Sequence, residues 1–325
     1  MLDPQLAGTY DAILTRELAD IVRGLPAERV IKKALEGEVA PDLLSRHLAF
    51  LVRSAIRNVK GETVSEQALE RVKLSNQLLR ALQQVIPEAI EDSDFINEDS
   101  ENRLWAITRL GQDGKTLIEP EVGLTTSALL FNGKDQPQIG SELRKELTTA
   151  DDVDLLCSFI KKSGLALVEK RLAEVIGRGG KVRILTTTYM GATQKSAVDA
   201  LVELGAEVRI SYMGDTSRLH AKAWIIHRNT GASTAYVGSS NLSAAAMKEG
   251  LEWNVRLSER EQPHLISTIA ATFEDHWNDN DFSSYDPILN GVQLEDALAR
   301  AKSNSTNTIA IKTPIKRMPT MPKTM

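Results

Sequence analysis

Between residues 152 and 258 the chain switches repeatedly between two hydrophobic periods, which restricts its fold more than any other feature. "VDLLCSFI" reads as a strand, "SGLALVEKRLAEVIGRG" as a helix, "KVRILTTTY" as a strand, "TQKSAVDALVELG" as a helix and "AEVRISY" as a strand. "HAKAWIIH" and "TAYVGSS" follow as strands, "NLSAAAMKE" as the start of a helix and "LEWNVRLS" as a further strand. Strands interleaved with helices of about a dozen residues need a largely parallel sheet covered by helices on both faces. The expected fold is therefore α/β, a mixed, largely parallel sheet flanked by helices, over residues 91–290. Residues 1–90 are expected to form a helical subdomain. "YDAILTRELADIVRGL", "LLSRHLAFLVRSAIRNV" and "VSEQALERVKLSNQLLRALQQVI" space their apolar residues by three and four. Thr63 and Ser65, with Glu66 and Glu70 just after them, suit a helix start. Residues 291–325 read as a helix remnant followed by a tail, basic, proline-bearing and without acids from Thr308 to Met325, that is expected to be disordered.

Several classes of chemistry are excluded early. "GQDGKT" (Gly111 to Thr116) has Arg109 where a phosphate-binding loop needs its first glycine, and "LIEP" follows instead of a helix, so it reads as a turn. His47, His220, His227, His264 and His276 show no metal-ligand spacing, so neither a metal nor another cofactor is expected. The single cysteine, Cys157, lies in an apolar run and reads as an inert buried thiol in a reducing compartment. No apolar run nears the roughly 18 residues of a membrane span, and the expected location is cytoplasmic. The net charge of −5 argues against a uniformly basic coat, yet Asp151 to Arg260 holds 15 Lys+Arg against 12 Asp+Glu. That local balance suits a phosphate-bearing substrate.

The candidate chemistry centres on "RLHAKAWIIH". Side chains two apart on a strand share a face, so His220 and Lys222 can converge on one anionic group. The imidazole can serve as nucleophile or acid and the ammonium as a fixed charge for phosphoryl oxygens. Downstream, "VGSSN" ends a strand with Gly238, Ser239 and Asn241, donors that suit phosphate at a strand-to-helix turn. Glu252 in "GLEWNVRL" can accept the other ring proton of the histidine. Each piece alone has a plainer explanation: an edge strand with a wet face, a helix cap, a solvated carboxylate. Their order, after three βα units, is what points to a site.

These residues resemble the signature of the phospholipase D superfamily, in which His-x-Lys is followed by an Asp and then by a Gly-Ser turn with a nearby Asn. The likeness is closest to the phospholipase D-like nuclease domain at the N-terminus of bacterial superfamily II DEAD/DEAH-box helicases. It is carried by "SGLALVEKRL", "VRILTTTYMGATQKSAVDALVELGAEVRISY", "RLHAKAWIIHRNTG", "STAYVGSSNLS" and "GLEWNVRLS". The resemblance implies a metal-independent phosphodiesterase that cuts DNA, more so than RNA, through a covalent phosphohistidine. His220 would attack phosphorus, Lys222 would neutralise the phosphoryl oxygens, Ser239 and Asn241 would bind them, and Glu252 would orient His220. Two departures stand out. His227 occupies the Asp position and, an odd number of residues from His220, should face away from Lys222. The chain also has a single His-x-Lys, so a homodimer sharing one site is expected to supply both nucleophile and acid. A helicase, as a separate partner or as a missing domain, and a role in DNA restriction or defence are further implications. The alternative is a non-catalytic nucleic-acid-binding or dimerisation module.

Overall fold

The structure is a computed structural model that describes residues 8–99, 103–108, 114–133, 137–212 and 219–310. It divides into two compact units, Met1–Ile107 and Thr108–Met325. In the first, helices α1 (Arg16–Arg23), α2 (Ala40–Asn58) and α3 (Val64–Val85) carry the three-to-four spacing seen in the sequence. Thr63 caps α3, its hydroxyl accepting from the Glu66 N–H at 3.1 Å, while the Glu66 carboxylate takes the Glu62 N–H at 2.9 Å. Two donors otherwise orphaned at a helix start are thereby satisfied. The one buried residue on these helices is polar: Asn76 clasps the Ile96 backbone from both sides, at 3.0 and 2.9 Å.

The second unit is built on one eight-stranded sheet. Its strands are β1 (Ala128–Phe131), β2 (Asp152–Leu156), β3 (Val182–Thr187), β4 (Glu207–Ser211), β5 (Ala223–His227), β6 (Thr234–Gly238), β7 (Trp253–Ser258) and β8 (Phe282–Ser284). They lie in the order β1-β7-β6-β5-β2-β3-β4-β8. Helices α4 (Ile139–Glu146), α5 (Lys162–Gly177), α6 (Lys195–Glu203), α7 (Pro263–Trp277) and α8 (Pro287–Ala310) complete it. The main core joins Leu143, Leu165, Leu172, Val198 and Leu201 of α4, α5 and α6 to Val153, Ile184, Ile210, Trp224 and Tyr236 of the sheet. A smaller cluster on the other face sets Phe273 and Trp277 of α7 against Leu156, Leu185 and Ile225. No helix among the described residues is long and apolar enough to cross a membrane.

The mixed α/β architecture matches the expectation, with a smaller parallel share. Only β2–β3 and β3–β4 run parallel, because only there does a helix, α5 or α6, return the chain to the same edge. The other named strands pair antiparallel, β5 with β2 and β6, β6 with β7, β7 with β1 and β4 with β8. Other boundaries also shift. The strand expected from His220 begins at Ala223, and "AAMKE" is a short π-helical turn, Ala245–Glu249. Of "GQDGKT", residues 111–113 lie outside the described residues and Gly114–Thr116 form one 3-10 turn. The tail after residue 310 also lies outside the described residues.

A buried ionic knot ties the antiparallel half to α4. Glu146 is fully buried and accepts from Arg256 Nε at 2.6 Å, Arg228 Nη2 at 3.0 Å, Tyr236 Oη at 2.6 Å and the Thr234 hydroxyl. Arg228 follows β5, Thr234 and Tyr236 lie on β6, and Arg256 on β7. One carboxylate thus fixes three neighbouring segments of the sheet against one helix.

Candidate active site

The candidate residues gather along one edge of this sheet, where β2, β3 and β6 end and β5 and β7 begin. That edge is where open α/β sheets bind ligands, because the chain must leave each strand there through loops that can be shaped independently.

His220 and Lys222 occupy the lead-in to β5. The ladder with β6 reaches back to them, with Gly238 N–H donating to the Lys222 carbonyl at 3.1 Å. Leu219 is anchored by Ser158, whose hydroxyl donates to its carbonyl at 2.9 Å, and the Thr187 hydroxyl in turn donates to the Ser158 carbonyl at 2.9 Å. The segment before the histidine is therefore held by the ends of β2 and β3. His220 is exposed, and no described residue hydrogen-bonds to its ring; Arg218 lies outside the described residues. Lys222 is buried, and its ammonium donates to the His220 carbonyl. Burial lowers its pKa below the usual lysine value, partly offset by Cys157 and by the Glu252 carboxylate. Cys157 is fully buried, which pushes its thiol up to about 12 and keeps it inert.

The turn after β6 explains its own composition. A Cβ on Gly238 would meet the Trp253 carbonyl oxygen at 2.1 Å and Asn254 Oδ1 at 2.6 Å, so only glycine lets β6 pass β7 this closely. A Cβ on Gly164, in the first turn of α5, would likewise strike the Leu242 backbone at 2.3 Å. Ser239 and Glu252 meet here, the Ser239 hydroxyl donating to Oε2 of Glu252, while the Trp253 N–H donates to the serine oxygen at 3.2 Å. Asn241 uses its Oδ1 to accept the Phe159 N–H at 3.1 Å. Ile160 and Leu242 form a parallel bridge, and Lys161 N–H donates to the Leu242 carbonyl at 2.8 Å. The loop after β2 and the loop after β6 are thus stitched together around Asn241.

The chain therefore brings Lys222, Ser239, Asn241 and Glu252 to one edge with His220. Glu252 lies against Ser239 rather than the His220 ring, and its negative charge is felt at Lys222. His227 sits at the far end of β5, where its Nε2 is 2.7 Å from Asp154 Oδ2. Asp154 is buried and also takes a two-pronged pair from Arg183 at 2.7 and 2.8 Å. Burial works against the ionised Asp154, yet the His227 and Arg183 hydrogen bonds outweigh it and hold its pKa below the usual carboxylate value. Residues with positioning roles that the sequence did not flag are Ser158, Thr187 and Asn254, the last donating to the Ser240 hydroxyl at 2.8 Å. Each is an ordinary polar residue whose partner is distant in sequence, so no local pattern marks it.

Among the described residues no group of three or more His, Cys, Asp or Glu side chains is arranged to hold a metal ion. A cavity of about 560 Å³ is lined by Thr116, Ile118, Thr148, Lys170 and Arg178, toward the other end of α5, and borders none of the candidate residues. The site is an open edge.

Residues 143–277, which hold every candidate residue, match the family described as cardiolipin synthase, PLD-like domain. None of the curated proteins matches the chain. Among solved structures, Nuc from Salmonella typhimurium, a phospholipase D family member, is similar at 19% identity over 49% of this chain and 97% of that one, with a TM-score of 0.38. NucT from Helicobacter pylori is similar at 16% identity over 46% and 94%, with a TM-score of 0.37. The phosphatidylserine synthase of Haemophilus influenzae is similar at 11% identity over 57% and 47%, with a TM-score of 0.38.

Proposed function

We propose that this chain is a metal-independent phosphodiesterase of the phospholipase D type that cleaves nucleic acid, DNA before RNA. The observation that carries this reading is that His220 and Lys222, leading into β5, and Ser239 and Asn241, in the turn after β6, lie at the same edge of the sheet. In the proposed step an unprotonated ring nitrogen of His220 attacks phosphorus. A nitrogen–phosphorus bond forms as the bond from phosphorus to the leaving oxygen breaks, and a second imidazole gives that oxygen its proton. Water then displaces the histidine, losing its proton to the imidazole that acted as acid, and the original state returns. The Lys222 ammonium and the Asn241 amide offset the charge that gathers on the phosphoryl oxygens. The match of residues 143–277 to a phospholipase D-like domain supports the reaction class. The exposed Lys161 and Lys162 on the same edge support a polyanionic substrate.

The second imidazole is proposed to be the His220 of a second chain, in a homodimer with one shared site. Wild-type protein should cleave DNA in EDTA, offered both as a single-stranded oligonucleotide and as plasmid, and His220→Ala protein should cleave neither. Equal DNA retention by both without cleavage would favour the binding-module reading and overturn catalysis. Subunit exchange tests the dimer. An equal mixture of wild type and His220→Ala should retain about a quarter of the activity of the undiluted wild type, since only dimers with two imidazoles cleave. Retention of about half would mean that each chain works alone. A helicase, separate or in the same polypeptide, is the partner this reading proposes, and a restriction or defence role would follow from it.

A further inference from the structure

We propose that Phe159 and Lys161 form a stacking platform for one base of a single-stranded nucleic acid, beside the phosphate held by His220, Lys222 and Asn241. The inference rests on the nucleic-acid reading above and narrows its substrate to strands whose bases are unstacked.

Phe159 follows β2 at the candidate edge and is one hydrogen bond from Asn241, which its backbone N–H holds by Oδ1 at 3.1 Å. Its ring is half-buried and belongs to neither apolar core cluster. Lys161 is exposed, and its Nζ lies over that ring, 5.5 Å from the centroid. A partly open aromatic ring with a lysine is the pairing used where bases are taken one at a time: in the proposed complex a base takes the place of the ammonium over the ring, and the cation turns to the backbone phosphates. Within a nucleotide one sugar joins base to phosphate, so a site that grips the phosphate leaves the base within short reach, and Phe159 is tied to that site by its backbone bond to Asn241. In a duplex the base faces are already stacked inside, and the ring has nothing to receive. A lipid phosphodiester offers no planar face either.

The arrangement is rigid enough to serve. Lys161 N–H donates to the Leu242 carbonyl at 2.8 Å and Gln194 N–H to the Ile160 carbonyl at 2.8 Å, so residues 159–161 are fixed on both sides by backbone bonds that a side-chain change leaves in place.

The test measures binding by fluorescence anisotropy on the His220→Ala protein, which reports the platform whether or not the wild type cleaves. The probes are a single-stranded oligonucleotide, the same strand with abasic positions throughout its central segment, its duplex, and phosphatidylglycerol vesicles. Phe159→Ala should weaken binding of the base-bearing strand roughly fivefold to a hundredfold, and Phe159→Trp should restore it. The Phe159→Ala penalty on the abasic strand and on the duplex should stay below about twofold, since neither presents a free base. Lys161→Ala should weaken base-bearing and abasic strands alike and flatten the salt dependence. An equal penalty on all three nucleic acids would mark Phe159 as structural, and no penalty on any would remove it from the substrate path. Loss confined to the vesicles would assign the ring to lipid. Each of these three results overturns the platform. Failure of wild type to cleave the single-stranded oligonucleotide in EDTA, with the strand effects intact, would instead overturn the catalytic reading and leave the platform standing.

Discussion

His220→Ala should lower phosphodiester cleavage by about a thousandfold or more while leaving the melting temperature unchanged. The two halves of that expectation come from different observations. On the proposed reading the imidazole forms the bond to phosphorus, so its loss removes the reaction path rather than a fraction of transition-state stabilisation. The ring is also exposed and makes no hydrogen bond to a described residue, so its loss breaks no described contact. Lys222→Ala should be nearly as severe for turnover but should also cost stability, because the side chain is buried and its stem fills space below the edge. Lys222→Met, which keeps most of that volume, separates the two: stability close to wild type with cleavage still lost. The burial that lowers the Lys222 pKa gives a further signature. As pH rises through its folded value the ammonium is lost, so cleavage should fall on the alkaline side earlier than an exposed lysine would allow. A His220→Ala protein that cleaves at more than a tenth of the wild-type rate would end the nucleophile assignment.

Much of this site was legible because its chemistry sits in short local patterns. His220 and Lys222, the Gly238–Asn241 turn and Glu252 each stand out by residue type, and the α/β alternation brings strand ends to one edge. Two things were not legible. Strand direction past β4 depends on which connections are hairpins, and hydrophobic period alone does not report it; the short link between β5 and β6 decides for antiparallel pairing. Partners distant in sequence were equally hidden. Glu252 reads as a natural acceptor for the His220 ring, yet the tight passage of β6 along β7, enforced by Gly238, delivers the Ser239 hydroxyl to it. His227 is the reverse case. Its odd spacing from His220 indicated that it would point elsewhere, and what it meets there is Asp154, a residue of β2 with no sequence mark of its importance.

The other large effect expected is on folding. Glu146→Ala should destabilise the second unit by about 3–5 kcal/mol, because it leaves the buried Arg228 and Arg256 guanidiniums with no counter-charge. At about 2–4 °C per kcal/mol for a unit of this size, the melting temperature should drop by roughly ten degrees. The knot is no proof of net stabilisation, since apolar residues of equal volume in all three places can serve as well; its removal from one side alone is what costs. Glu146→Gln keeps the shape and some hydrogen bonds and isolates the charge. Burial raises the Glu146 pKa, but Arg228 and Arg256 and the hydroxyls of Thr234 and Tyr236 outweigh it, so the net value lies below the usual carboxylate value. A carboxyl whose folded pKa is depressed contributes stability that is whole above its unfolded value and disappears as pH falls through the folded one. The gap between wild type and Glu146→Gln in urea melts should therefore be widest near neutrality and close progressively in acid. Asp154, also depressed and on the opposite face of the sheet, adds its own acid loss to both proteins and so cancels in the comparison. A gap that is constant across pH would mean that the Glu146 charge contributes nothing, and equal melting of wild type and Glu146→Ala would show that the helix and the antiparallel strands are held by apolar packing alone.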